Sequence, residues 1–172
     1  PISNVSNPTL ATSPDGTEPL VVIGNQGGNG DVVTVLQRAS NGGDFEYYTS
    51  TDALNSMPLA GVAVAIGNVW PDEDGSGRPP NEVLVATQSD LFIFRSDLSF
   101  VAKIPFPSAI SSTAGLPVSI AVDDGLLTTN SRLHPFWLGL PGRNQVSRCL
   151  GTRCLPWQYG ETGSDYGAAI DV

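Results

Sequence analysis

Four short apolar anchors recur along this chain at nearly even distances, and that spacing constrains the fold more than any other feature. Leu10 in Pro8-Thr9-Leu10-Ala11-Thr12, Val64 in Gly61-Val62-Ala63-Val64-Ala65-Ile66, Ile120 in Leu116-Pro117-Val118-Ser119-Ile120-Ala121-Val122 and Ile170 in Tyr166-Gly167-Ala168-Ala169-Ile170-Asp171-Val172 align at separations of 54, 56 and 50 residues. A period of this size marks one supersecondary unit repeated along a chain. An acidic or Gly-rich turn follows each of the first three anchors: Ser13-Pro14-Asp15-Gly16, Pro71-Asp72-Glu73-Asp74-Gly75-Ser76-Gly77 and Asp123-Asp124-Gly125. In the first two units an apolar strand comes next, then a short loop and another apolar strand. These are Leu20 to Gly24 with Val32 to Leu36, and Val83 to Thr87 with Leu91 to Arg95. A more polar segment closes each unit, Phe45-Glu46-Tyr47-Tyr48 in one and Phe100 to Ile104 in the other. Four strands per unit is the grammar of a propeller blade.

Composition agrees with a β reading. Gly (19) and Pro (14) make up about a fifth of the 172 residues, and each interrupts a helix interior. The only stretches with room for a short helix are Thr51 to Ser56 and Pro107 to Thr113. The strand segments are short, rich in β-branched and aromatic residues, and bounded by Gly, Pro, Asn, Asp or Ser. Several are apolar at consecutive positions, such as Val83-Leu84-Val85-Ala86 and Leu91-Phe92-Ile93-Phe94. That pattern predicts strands covered on both faces, as in sheets stacked between other sheets.

The units resemble FG-GAP/VCBS repeats, the blades of integrin-α-type β-propellers. Tyr166-Gly167-Ala168-Ala169-Ile170 is similar to the opening Phe-Gly signature, with Tyr for Phe. Gly67-Asn68 before the acidic loop and Glu82-Val83-Leu84-Val85-Ala86 after it are similar to the family's acidic turn and apolar strand. Asn41-Gly42-Gly43-Asp44-Phe45 resembles the Gly-rich turn plus Phe of VCBS blades. The likeness runs over roughly residues 8 to 130 and again 164 to 172, while residues 131 to 163 match nothing in the pattern. It implies an all-β, antiparallel propeller segment of about three four-stranded blades, with units near 8–60, 61–113 and 114–163 and the start of a fourth at 164–172. Such propellers usually close with about seven blades, so the remaining blades are expected from the same or another chain. A small β-sandwich with a weak internal duplication is the alternative.

The family also implies calcium, and one loop has the residues for it. Calcium takes six to eight oxygens at about 2.3–2.6 Å, which a loop supplies at alternate positions. In Asp72-Glu73-Asp74-Gly75-Ser76-Gly77-Arg78-Pro79-Pro80-Asn81-Glu82, Asp72, Asp74 and Ser76 stand at positions one, three and five. Gly77 allows the sharp turn and Arg78 offers its carbonyl at seven. The family closes the site with Asp at position nine, where this chain has Pro80. Asn81 or Glu82 must then close it through a bulge. A solvated acidic turn is the plainer reading of the same residues. Asp15 with Glu18, and Asp123 with Asp124, supply too few oxygens for a site and read as turns.

Cys149 and Cys154 are the only cysteines, and His134 is the only histidine. Two cysteines cannot fill a four-ligand zinc site, and C-x4-C is not a redox C-x2-C. A local disulfide, suited to an oxidising compartment, or two free thiols remain. Arg148 and Arg153 flank the pair and make this loop locally basic, either to touch an acidic partner or simply as a solvated loop. Phe136, Trp137, Trp157 and Tyr159 concentrate aromatics in residues 133 to 159. They either pack in the core or let Trp137, Trp157 and Tyr159 form a sugar- or protein-binding surface.

The formal net charge of −9 argues against nucleic acid, whose phosphates attract a basic face. No apolar run approaches the roughly 18 residues of a membrane helix. No phosphate loop, dinucleotide fingerprint, metalloprotease motif or nucleophile elbow is present. The resemblance accordingly implies a non-catalytic binding or adhesion scaffold, extracellular, at the cell surface or periplasmic, with a structural calcium and a protein or glycan ligand. A carbohydrate-binding module, or the non-catalytic part of a secreted hydrolase or lyase, are the alternatives.

Overall fold

Strands, turns and irregular backbone make up the described residues of the computed structural model, which are 9–12, 21–24, 33–38, 45–49, 63–71, 81–87, 90–106, 119–123, 133–140, 144–156 and 158–159; among them there is no helix. The two short helical expectations lie outside these residues. Each of three antiparallel sheets is drawn from one consecutive stretch of chain. The first runs β1 (Thr9–Thr12), β2 (Val21–Gly24), β3 (Val33–Arg38), β4 (Phe45–Thr49), each strand beside the next. The second repeats the order with β5 (Ala63–Gly67), β6 (Glu82–Ala86), β7 (Asp90–Phe94) and β8 (Phe100–Pro105). The third joins β9 (Ser119–Val122), β10 (Phe136–Leu140), β11 (Gln145–Leu150) and β12 (Arg153–Cys154), with β13 (Gln158–Tyr159) also against β11. Leu10, Val64 and Ile120 sit in β1, β5 and β9, facing Ile23, Val85 and Leu138 across the ladder.

Side-chain alternation explains how the sheets stack. On one face of the second sheet Val64, Ile66, Val83, Val85, Phe92 and Phe94 pack with Val35 of the first, and Ala11 lies against them. On its other face Ala63, Ala65, Leu84, Ala86, Leu91 and Ile93 pack with Phe136, Leu138, Leu140 and Cys149 of the third. The second sheet is thus the middle layer, and β5, β6 and β7 are buried at every position. The runs Val83-Leu84-Val85-Ala86 and Leu91-Phe92-Ile93-Phe94, expected to be covered on both faces, are so covered. The sheets come closest through their first strands, with β1 and β2 beside β5 and β5 beside β9. Gly67 at the end of β5 marks this approach. A Cβ built there would lie 3.1 Å from that of Val122 and collide with its methyl groups. Three stacked sheets also differ from the two layers of a sandwich.

Residues 131 to 163, outside the repeat pattern in sequence, supply the rest of the third sheet. The reason lies in which side of β11 faces inward. Cys149, Ser147 and Gln145 pair with the core residues Phe136, Leu138 and Leu140, so two of the three inward positions are polar. Ser147 is satisfied by donating to the Leu155 carbonyl at 2.7 Å.

Between β7 and β8 the turn uses Leu98 at φ 63°, a left-handed conformation that costs roughly 1–2 kcal/mol for a side chain with a Cβ. Full burial of Leu98 in the core offsets it. Asp97 braces the turn by accepting from the Ser99 amide at 2.8 Å. Hydrogen bonds from the Ser99 side chain and then its backbone hold the Asp97 carboxyl below its ordinary value.

Cys149 and Cys154 face each other across β11 and β12 and form a disulfide. The intervening turn has Gly151 at φ 57°, a conformation that a first-centre glycine supplies in a tight hairpin. Closing so short a loop is worth about 2 kcal/mol in the chain-entropy account. Cys149→Ala/Cys154→Ala is expected to lose that much in a urea titration, and wild type to show no thiol under denaturing conditions. Titration of two thiols would overturn the pairing.

Candidate functional site

The acidic loop leaves from the end of β5 and returns at β6. Asp72, Asp74, Ser76 and Arg78 lie outside the described residues, as does Trp157. Its two ends are described. The chain turns out of β5 at Gly67, and Glu82, opposite Gly67 in the ladder, opens β6. Glu82 is 1% exposed. Its Oε2 accepts the backbone amides of Val69 at 2.9 Å and Trp70 at 3.0 Å. These amides have left the ladder, and a buried orphan N–H is costly. The carboxylate therefore ties the outgoing limb of the loop to the returning limb. Asn81 beside it is also buried, and Trp70 packs against the core below.

The third sheet meets this same end. The segment 133–135 crosses it: the His134 amide donates to the Asn68 carbonyl at 2.6 Å, and the Asp123 amide to the Pro135 carbonyl at 2.9 Å. Asn68, Asn81, Glu82 and Asp123 are all buried, which gathers four buried polar side chains at this end of the stack. His134 Nδ1 is buried with no hydrogen-bond partner among the described residues. Among the described residues no group of three His, Cys, Asp or Glu is arranged to hold a metal ion.

The aromatics divide. Phe136 is fully buried in the core between the second and third sheets. Trp137 points the other way, half-buried, on the face it shares with its cross-strand partner Arg148. Tyr159 is placed by its backbone, which pairs with Gln145. Spacing alone could not find the Glu82 brace. A Glu opening an apolar strand straight after a loop is the local signal for it.

No family model, no curated protein and no solved structure matches this chain. What can be said of its chemistry rests on its own residues. The described site offers hydrogen-bonding oxygens and one imidazole at the rim of a packed core. Lys103 and Asp90, 3.1 Å apart at the other end of the second sheet, form an ion pair between an exposed ammonium and a buried carboxylate, with the ammonium over the Phe92 ring. Among the described residues no helix is long and apolar enough to cross a membrane. The disulfide is compatible with an extracellular location.

Proposed function

We propose that the chain is a segment of a β-propeller with FG-GAP/VCBS-like blades, acting as a non-catalytic extracellular binding scaffold with a structural calcium in its acidic loop. One observation carries the reading. Three consecutive antiparallel meanders, two of four strands and one of five, are stacked in order and come closest through their first strands. Blades ranged around an axis have that arrangement, with the first strand innermost. A ligand surface on such a scaffold is made by loops and faces while the stacked sheets stay rigid.

In this reading Asp72, Asp74, Ser76 and the Arg78 carbonyl would hold calcium together with Asn81 or Glu82. The Glu82 brace supports it, because a tied loop base sets the two limbs at fixed separation before an ion arrives. Oxygen donors of this kind suit a hard cation. Scanning calorimetry tests the claim. Calcium is expected to raise the melting temperature by several degrees over EGTA, and Asp72→Ala/Asp74→Ala to remove that rise. Equal melting of wild type in calcium and EGTA would take calcium out of the proposal. A carbohydrate-binding module is the second reading, favoured by Trp137, which is part-exposed on the face of the third sheet turned away from the second.

A further inference from the structure

The third sheet has one face against the second sheet and one turned away from it. Ala121, Trp137 and Arg148 stand in register on the outward face, and Leu150 pairs there with Arg153 across the hairpin. Leu155 alternates with Cys154 to the same side, and its amide donates to the Arg148 carbonyl at 2.9 Å. Leu150 is 46% exposed and Leu155 55%. Arg153 is exposed and Arg148 half-exposed, and neither has a carboxylate partner among the described residues. On the inward side the Cys149–Cys154 disulfide fixes the hairpin that displays them.

Charge is also segregated along the sequence. Residues 126–160 contain Arg132, Arg143, Arg148 and Arg153, four of the eight Lys and Arg, and none of the 17 Asp and Glu. The rest of the chain therefore carries four cations against 17 anions. A cationic strip on an anionic protein repels other cationic surfaces around it and admits anionic ones at the strip itself.

We infer that the outward face of the third sheet, centred on Trp137, Arg148, Leu150, Arg153 and Leu155, docks an acidic polypeptide segment that interleaves carboxylates with apolar side chains. This rests on the binding-scaffold reading and adds to it the face and the partner. Arginines select carboxylates through their two-pronged donor geometry. The exposed leucines and the tryptophan select apolar side chains next to them, and Trp with Arg is the composition of interface hot spots. A purely polyanionic sugar would use the arginines and leave both leucines in water.

The test uses the whole chain and three fluorescent probes: a 12-residue peptide alternating Glu and Leu, one alternating Glu and Ser, and a heparin dodecasaccharide. The Glu–Leu peptide is expected to bind at least tenfold tighter than the Glu–Ser peptide, and more weakly as salt rises. Arg148→Glu/Arg153→Glu and, separately, Leu150→Ser/Leu155→Ser should each weaken it at least tenfold with melting temperature unchanged. Arg153→Glu alone, at an exposed position, should weaken it severalfold and guards against a misfolded double variant. Binding of heparin that ignores the leucine changes, with no preference for Glu–Leu, would overturn the inference in favour of an anionic glycan. No binding of any probe would overturn it outright. Glu–Leu binding that survives every variant would remove the face while leaving the scaffold reading intact. Calcium-dependent melting of the same protein judges that scaffold reading separately.

Discussion

Phe94→Ala is expected to cost about 3–5 kcal/mol of unfolding free energy, the range for emptying a buried phenylalanine site. Phe94 is fully buried in the middle sheet. Its ring lies 6.1 Å from that of Phe92, stacked, and 6.1 Å from that of Phe100, edge-on. Val35 of the first sheet shares the same cluster, so the cavity would open between two sheets. Neither sheet can collapse into it without disturbing its contact with the other. Domains of this size are stable by only about 5–15 kcal/mol, so the variant would lose a large share of its margin. Phe100→Ala is the control, because Phe100 is more than half exposed, and it should cost about 1 kcal/mol or less. Urea unfolding of the two variants measures the difference. Similar losses from both would mean that the second sheet is not the covered middle layer.

Glu82→Ala should be nearly as damaging, for a different reason. It removes the acceptor of the Val69 and Trp70 amides and leaves them at the base of the loop. A buried donor stripped of its partner costs about 1–3 kcal/mol, so the pair should cost about 2–5 kcal/mol, the upper end reduced because the Trp70 amide is only partly buried. Glu82→Gln keeps an oxygen in place and should recover a good part of the loss. Measuring both variants in EGTA separates the brace from any part Glu82 plays toward calcium. A full-sized loss in EGTA identifies the brace. A loss seen only in calcium would mean that Glu82 acts through the ion.

The strands of the first two sheets were legible because their signal is redundant. Val83-Leu84-Val85-Ala86 and Leu91-Phe92-Ile93-Phe94 are apolar on both faces, and two-sided burial follows directly. The third sheet was legible only at β9. In β11 the inward residues Gln145 and Ser147 are polar while outward Val146 and Leu150 are apolar, so the pattern points to the wrong face. The Cys149–Cys154 pairing was readable as one of two options, and the hairpin register decides it. Glu82 drew notice for its carboxylate. That the carboxylate is turned onto Val69 and Trp70 depends on how the loop limbs meet, which no spacing records. The alignment of Trp137 with Arg148 likewise needs the β10–β11 register.

The outer margins of the second and third sheets are each interrupted. β8 skips a residue against β7 near Phe94 and ends on Pro105. The third sheet's margin is split into β12 and β13, which pair with β11 one residue out of step on either side of Pro156. Ladders with such breaks make poor templates for another strand. The consequence is directional. Material added to this molecule can join it face upon face, as each sheet has joined the one before, but cannot easily extend a sheet sideways. At these two sheets, growth by adding a layer is open while growth by pairing a strand onto the outer margin is disfavoured.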